Sequence, residues 1–267
     1  MKIEDWLFFI KQNLINSSSN DLDAQLLLCH TTKMSKVKLF MNLDKEFSID
    51  KQQLNSYITR INSYEPIAYI LGYKDFYDIR VKVNKHVLVP RPETELMIDI
   101  IKDLNLGGVG IDVGTGSAAI AICLHKHTNL KISACDISLE ALKVARKNIN
   151  DLPISLSQSD LLGFYEDNKF DLVAANLPYI AENDEYLKKL VKEPIIALTA
   201  KNDGYALMFE LIKQARYKLK TKGRIILEHG YNQHQKLSDF LQLQGFTNIK
   251  VFKDLNEHER VTLATLK

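Results

Sequence analysis

Cysteine is scarce, at three of 267 residues. Cys29, Cys123 and Cys135 are odd in number, widely spaced and set in apolar runs. They frame neither a disulfide scaffold nor a zinc site and read as buried, reduced thiols. The seven histidines contain no His-x-x-x-His pair. His125 and His127 flank Lys126 near an expected helix end and read as solvated, and no metal is expected. No apolar run approaches the ~20 residues that cross a bilayer, which excludes a spanning helix. The opening MKIEDWLFFIKQNL places Glu4 and Asp5 ahead of its apolar stretch and a lysine inside it, unlike a secretory signal. Neither sign of charge is in excess: 35 Lys+Arg against 33 Asp+Glu leave +2. This excludes a disordered polyelectrolyte and argues against a broad, sequence-independent nucleic-acid binder, although a small basic patch is allowed. A cytoplasmic protein is expected.

Glycine is also unevenly placed. Gly72 is the single glycine among the first 74 residues, and that stretch reads as helical. Trp6, Leu7, Phe9, Ile10 and Leu14 fall at helical spacing within Ile3 to Ile15. The run from Asn16 to Asn20 breaks the pattern, and Asp21 is placed to cap a second helix. Ser35 and Ser48 read as further N-caps, and Leu54, Ile58 and Ile61 mark one buried face. A small helical bundle over 1–74 is expected. From Phe76 to Val83 the period changes to two, with Ile79, Val81 and Val83 alternating with Asp78, Arg80 and Lys82. That strand and a second from His86 to Val89 suggest a β-hairpin linker over 75–90.

Over 91–267 strands and helices alternate. Helices are expected at 93–104, 117–125, 138–149, 205–219 and 233–243. Strands are expected at 110–113, 131–135, 154–158, 170–175, 224–227, 248–252 and 261–266, with 107–110 as a glycine-rich loop. The alternation implies a parallel α/β sheet covered on both faces, and the tight final pair implies one antiparallel strand at the end.

Two loops carry chemistry. Gly114, Thr115, Gly116, Ser117 and Ala118 join a strand to a helix, where glycines let the backbone approach a ligand and the helix start offers free N–H groups. Asp136, twenty residues past Gly116, ends the next strand, where an acid can accept from ribose hydroxyls. The loop satisfies both the dinucleotide pattern and that of S-adenosylmethionine enzymes. The second loop is Asn176-Leu177-Pro178-Tyr179, at the end of an apolar strand. An amide nitrogen is a poor nucleophile because its lone pair is delocalised. Two carbonyl acceptors on its N–H bonds would orient it and ease its change of geometry. The Asn176 side chain and the Leu177 main chain can supply them. Pro178 aims the Leu177 carbonyl by forcing an extended backbone, and Tyr179 can pack its ring on a planar target.

Several segments follow in order: Leu88-Val-Pro-Arg-Pro-Glu-Thr-Glu95, Asp112 to Ser117, the Asn-x-Pro-Tyr loop, Glu193-Pro194, Leu227-Glu-His-Gly230, and Asn256 to Leu263. With the helical N-terminal part, the chain resembles the release factor glutamine methyltransferase family over nearly its whole length. The resemblance implies a seven-stranded class I, Rossmann-like methyltransferase domain, preceded by a helical domain that grips the substrate. It implies S-adenosyl-L-methionine as cofactor and N5-methylation of the glutamine in the Gly-Gly-Gln motif of peptide-chain release factors. The implied cofactor residues are Gly114, Thr115, Gly116, Ser117, Ala118, Asp136, Asp160, Leu161 and Asn176, with Asp160 and Leu161 beside the adenine. Asn176, Leu177, Pro178 and Tyr179 would hold the glutamine. Leu88 and the loop from Pro90 to Glu93 would wall the cofactor and substrate entrance. A monomer with no stable nucleic-acid partner and no membrane association is expected. The chain departs from the family at Leu177, where a proline is usual, and at Ala118, where glycine is common.

Other readings explain less. An rRNA adenine-N6 methyltransferase accounts for Asn-Leu-Pro-Tyr, but not for the PRPETE or LEHG segments or the helical domain. A ribosomal-protein glutamine methyltransferase presents the same primary amide to the catalytic loop. A nicotinamide-dependent dehydrogenase would need an acid or base that the Asn176 loop lacks. A non-catalytic module would have lost cofactor binding.

Overall fold

In the computed structural model, which describes residues 1–17 and 19–267, the first helix forms as α1 (Ile3–Asn13) and buries Ile3, Trp6 and Ile10. It ends before Ile15 because the Asn62 side chain takes over the main chain there. Its Oδ1 accepts the Ile15 N–H at 2.8 Å, and its Nδ2 donates to the Asn13 carbonyl at 2.8 Å. The run from Asn16 to Asn20 separates α1 from α2 (Asn20–Thr32), with Ser18 of that run outside the described residues. Ser19, not Asp21, occupies the N-cap of α2. Asp21 lies in the first turn, where its charge faces the positive end of the helix dipole. Ser35 caps α3 (Lys36–Phe40), accepting the Lys38 N–H at 3.2 Å.

The cap of α4 (Lys51–Asn62) is Asp50 rather than Ser48. Asp50 Oδ1 accepts from the N–H groups of Gln52 and Gln53 at 2.9 and 3.1 Å. Ile49 is buried just ahead of the helix, and Ser48 is left exposed before it. Leu54, Ile58 and Ile61 of α4 share a core with Leu27, Leu28 and Leu39, and with Ile70 of α5 (Ile67–Leu71). One unit of the chain comprises Met1–Gly72 and Tyr186–Lys192; the other comprises Tyr73–Glu185 and Glu193–Lys267.

The second unit opens with β1 (Tyr73–Phe76) and β2 (Ile79–Lys82), paired antiparallel with Phe76 opposite Ile79. The expected partner strand from His86 to Val89 does not form. The turn falls instead at Tyr77 and Asp78, with Tyr77 at a φ of 53° and its N–H on Glu95 Oε1 at 2.8 Å. Asn84 does begin a turn, but the Val89 N–H is taken by the Glu193 carboxylate at 3.1 Å, not by a neighbouring strand. Two hydrogen bonds to Asn148 hold Lys82, so the hairpin packs on its own unit.

The remaining strands are β3 (Gly107–Val113), β4 (Asn129–Asp136), β5 (Ser155–Gln158), β6 (Phe170–Ala175), the short pair β7 (Ile180–Ala181) and β8 (Thr199–Ala200), β9 (Leu219–Glu228), β10 (Phe246–Lys253) and β11 (Glu259–Leu266). The helices are α6 (Glu95–Asp103), α7 (Ala119–His127), α8 (Leu139–Ile149), α9 (Ala206–Lys218) and α10 (His234–Leu243). The glycines at 107–110, expected as a loop, are strand, because β3 pairs with β4 from Gly107 opposite Asn129 onward. Seven strands form one sheet in the order β10-β11-β9-β6-β3-β4-β5. The strands from β9 to β5 run parallel, and their apolar side chains are buried as a doubly covered sheet requires. The antiparallel strand, β11, lies inside the sheet between β9 and β10 rather than at its edge.

Two surface expectations change. Cys123 and Cys135 are buried and burial pushes both thiols up to about 12, but Cys29 is half-buried; all three are free. His127 is not simply solvated: its Nε2 lies 2.9 Å from Asp78 Oδ1, and its ring sits edge-on to Tyr77. Among the described residues, no helix is long and apolar enough to cross a membrane. If Asp50 is the cap of α4, Asp50→Ala destabilises the protein by about 1 kcal/mol, whereas Ser48→Ala stays within about 0.5 kcal/mol. Urea unfolding of the two variants checks this.

Candidate active site

The strand order reverses between β3 and β6. From β3 the chain builds β4 and β5 on one side, then crosses back to β6 on the other. Ligands of open α/β sheets bind beyond the carboxyl ends of strands at such a reversal. A cavity of about 270 Å³ lies there, near the lower end of the ~300–1,000 Å³ usual for small-molecule sites. The loops after four successive parallel strands line it: Gly114 to Ser117 after β3, Asp136 to Ser138 after β4, Ser159 to Leu161 after β5, and Asn176 to Pro178 after β6.

The glycine loop is held from below. Thr115 turns its hydroxyl back to Asp112 Oδ2 at 2.5 Å, and its N–H donates to the Cys135 carbonyl at 2.9 Å. Asp112 is fully buried and also accepts the Ala121 N–H at 3.2 Å, while its Oδ1 has no partner; burial pushes this carboxyl up to about 7. Gly114 has a φ of 70°, which favours glycine, and a Cβ there would lie 2.8 Å from Leu177 Cδ2, so the Leu177 side chain would have to shift to admit one. Ala118, expected within the first turn of α7, is instead its N-cap, in the left-handed region at a φ of 65°. A glycine adopts that conformation at lower cost.

Asp136 accepts the Gly116 N–H and the Ser138 N–H, each at 2.9 Å, on different oxygens. Burial raises its pKa, and the backbone donors oppose that rise. Asp136 lines the cavity beside both donors. Leu161 sits at a φ of 49° and is buried, and Asp160 beside it is exposed; both line the cavity. Leu88 and Pro90 line it as well, whereas Arg91 is turned to Glu193 Oε1 at 2.5 Å.

Asn176, Leu177 and Pro178 face the cavity, but Tyr179 does not line it. Its phenol donates to Glu228 Oε1 at 3.2 Å, and burial raises its pKa. The Tyr179 carbonyl accepts from Gln233 Nε2 at 3.1 Å and packs so closely on Gly204 that a Cβ there would lie 2.0 Å away. Thr94 completes the arrangement. Its Oγ1 donates to Glu228 Oε2 at 2.6 Å and accepts from Asn176 Nδ2 at 3.0 Å. Glu228 and Thr94 are buried, at 1% and 3% exposure. Burial pushes the Glu228 carboxyl up to about 7, against the hydrogen bonds from Thr94 and Tyr179.

Thr94 and Glu228 were not among the expected site residues. Their signal lay in the PRPETE and LEHG segments, which the resemblance contained without a role for either side chain. His229 of the same segment is buried between the Thr262 hydroxyl at 2.8 Å and the Gly230 carbonyl at 2.9 Å, which keeps it structural.

The chain matches the description "PrmC N-terminal domain" over residues 5–72 and "Methyltransferase small domain" over residues 92–259. It is 34% identical to the release factor glutamine methyltransferase of Pasteurella multocida (strain Pm70), over 98% of this chain and 99% of that one. It is also 34% identical to the release factor glutamine methyltransferase of Buchnera aphidicola subsp. Schizaphis graminum (strain Sg), over the full length of both. The chain belongs to the release factor glutamine methyltransferase family. A methyltransferase from Pyrococcus furiosus superposes with a TM-score of 0.55 at 20% identity, covering 69% of this chain and 87% of that one, a likeness of fold alone. The sheet and its helices are those of a class I methyltransferase, as expected.

The buried Glu228 makes stability depend on pH. Its folded pKa is raised from 4.5 to about 7, so its proton is held more tightly in the folded state. Its contribution is therefore fully present below about 4.5 and is lost as the pH rises through about 7. Asp112 adds a loss of the same sign. Urea unfolding across that window should show stability falling with pH in the wild type and falling less in Glu228→Gln; parallel slopes would contradict the assignment.

Proposed function

We propose that the protein methylates the N5 amide of the glutamine in the Gly-Gly-Gln motif of peptide-chain release factors, with S-adenosyl-L-methionine as cofactor. The observation that carries this reading is that Asn176, Leu177 and Pro178 share one cavity with the glycine loop and Asp136. A cofactor held at the first set of walls would lie against the amide held at the second.

The residues suit that cofactor. Gly114, at a φ of 70°, brings its backbone against the Leu177 side chain, and Gly116 opens onto free space at a φ of 53°. Asp136 would accept from the ribose hydroxyls, and Asp160 and Leu161, which line the same cavity, would lie beside the adenine. Bound there, S-adenosylmethionine supplies a sulfonium-borne methyl group that needs no metal and no covalent enzyme intermediate. The chain's own work is to bind, orient and exclude water. Asn176 Oδ1 and the Leu177 carbonyl accept the two N–H bonds of the glutamine amide, turning its nitrogen toward the methyl donor and letting it become tetrahedral. Tyr179 serves the loop from behind, through Glu228, rather than by stacking on the target.

Residues 1–74 serve to grip the protein substrate, residues 75–90 link, and residues 91–267 carry the methyltransferase chemistry. The enzyme acts as a monomer in the cytoplasm, with no stable nucleic-acid partner. The primary amide of a ribosomal-protein glutamine is the chemical competitor, since the same two acceptors would hold it.

Incubation with methyl-labelled S-adenosylmethionine and a release factor, with ribosomal protein and rRNA in parallel, should label the factor alone. Replacing the Gly-Gly-Gln glutamine should abolish the label; labelling that persists would contradict the substrate. Asn176→Ala should lose most transfer while cofactor affinity stays within about tenfold, ~1.4 kcal/mol.

A further inference from the structure

We propose that Thr94 and Glu228 are positioning residues that set the polarity of the Asn176 amide, holding its NH2 away from the cavity so that its oxygen faces the substrate. The inference rests on the reading above, in which Asn176 must present an acceptor.

An asparagine amide is nearly symmetric in shape and opposite in chemistry at its two ends. Turned one way, Asn176 offers a carbonyl to a substrate N–H. Turned the other, it offers N–H groups to the substrate carbonyl and leaves the nucleophilic nitrogen unheld. Something outside the side chain must choose, and a chain of donors running in one direction does so. An ionised carboxylate only accepts. Glu228 thus draws the Thr94 hydroxyl hydrogen to its Oε2 at 2.6 Å and the Tyr179 phenol hydrogen to its Oε1 at 3.2 Å. With its one hydrogen committed, Thr94 Oγ1 can only accept, and it takes Asn176 Nδ2 at 3.0 Å. Asn176 Oδ1 is then the end left for the cavity that the residue lines.

Both members of the relay are almost completely buried. They come from segments distant in sequence: Thr94 precedes α6 and Glu228 ends β9. A buried carboxylate whose direct partners are two neutral hydroxyls is costly to keep for packing alone. The same carboxylate fixes both ends of the catalytic loop, Asn176 through Thr94 and Tyr179 directly.

A proton on Glu228 removes the constraint, because a carboxylic acid can donate to Thr94 and free the Thr94 hydrogen for Asn176 Oδ1. The charged and titratable groups facing Glu228 are Glu93, Arg260 and the Tyr179 phenol, with Arg91 acting on Tyr179. Glu93 favours the proton and Arg260 opposes it.

The test is kinetic, on the full-length enzyme with methyl-labelled S-adenosylmethionine and a peptide containing Gly-Gly-Gln. Thr94→Val keeps the shape and deletes the hydroxyl, whereas Thr94→Ser restores it. Thr94→Val should lower kcat by about thirtyfold or more, or ~2 kcal/mol, with cofactor Kd within about threefold. Thr94→Ser should return kcat to within about threefold of wild type. As a second measurement, the kcat–pH profile of the wild type should fall on the acid side near neutrality, and Glu228→Gln, which has no titrating group, should lack that limb.

A Thr94→Val enzyme with wild-type kcat would overturn the proposal. So would a Thr94→Ser enzyme as impaired as Thr94→Val, or an acid limb unchanged in Glu228→Gln. The function reading fails separately: a wild-type enzyme that leaves the glutamine peptide unlabelled removes that reading and this inference with it.

Discussion

Val113 lies opposite Ala175 in the parallel ladder between β3 and β6, and from that register the site follows. The next residue on one strand is Gly114 and on the other is Asn176, so the two loops leave the sheet side by side. Their closeness is measurable at Gly114, where a Cβ would lie 2.8 Å from Leu177 Cδ2. A slip of one residue would move Asn176 away from Gly114 and exchange the two faces of β6, which are packed to completion from Leu172 through Ala175. Leu177 is 4% exposed and packed within the same core, so its side chain anchors the loop to the sheet.

Three carboxyl groups then divide the work beneath these loops. Asp112 braces the glycine loop from inside the protein. Asp136 ties that loop to the end of the next strand at the cavity wall. Glu228 stands behind the Asn176–Tyr179 loop and holds it at both ends. For Asp112 and Glu228, burial pushes the pKa toward 7, so each is maintained against the preference of an apolar interior for the neutral form. Such groups are expected where a fixed direction of hydrogen bonding matters more than the last increment of stability.

Much of this was legible in the residues. Periodicity gave the helical first part, the alternation after Pro92, and the faces of α1 and α4. The glycine loop and Asp136 were readable because their spacing reflects one strand–helix–strand unit. Three kinds of feature were not. Turn positions depend on tertiary partners that local sequence does not show: Glu95 draws Tyr77 into the turn, Glu193 takes the Val89 N–H, and Asn62 ends α1. Caps are ambiguous in sequence where two acceptors stand close together, as Ser48 and Asp50 do ahead of α4. The Thr94–Glu228 pair was invisible because its members are 134 residues apart in sequence and meet only when β9 and the segment before α6 are in place. The motif strings flagged both segments without saying which side chain faced which.

In the proposed function, the Asn176 loop holds a glutamine amide by its N–H bonds, next to the glycine loop. A structure of the enzyme with S-adenosylhomocysteine and a Gly-Gly-Gln peptide tests it most directly. The glutamine amide nitrogen should lie about 3 Å from both Asn176 Oδ1 and the Leu177 carbonyl. A glutamine bound with its carbonyl oxygen against Asn176, or lying outside the cavity bounded by Gly114 and Pro178, would contradict it.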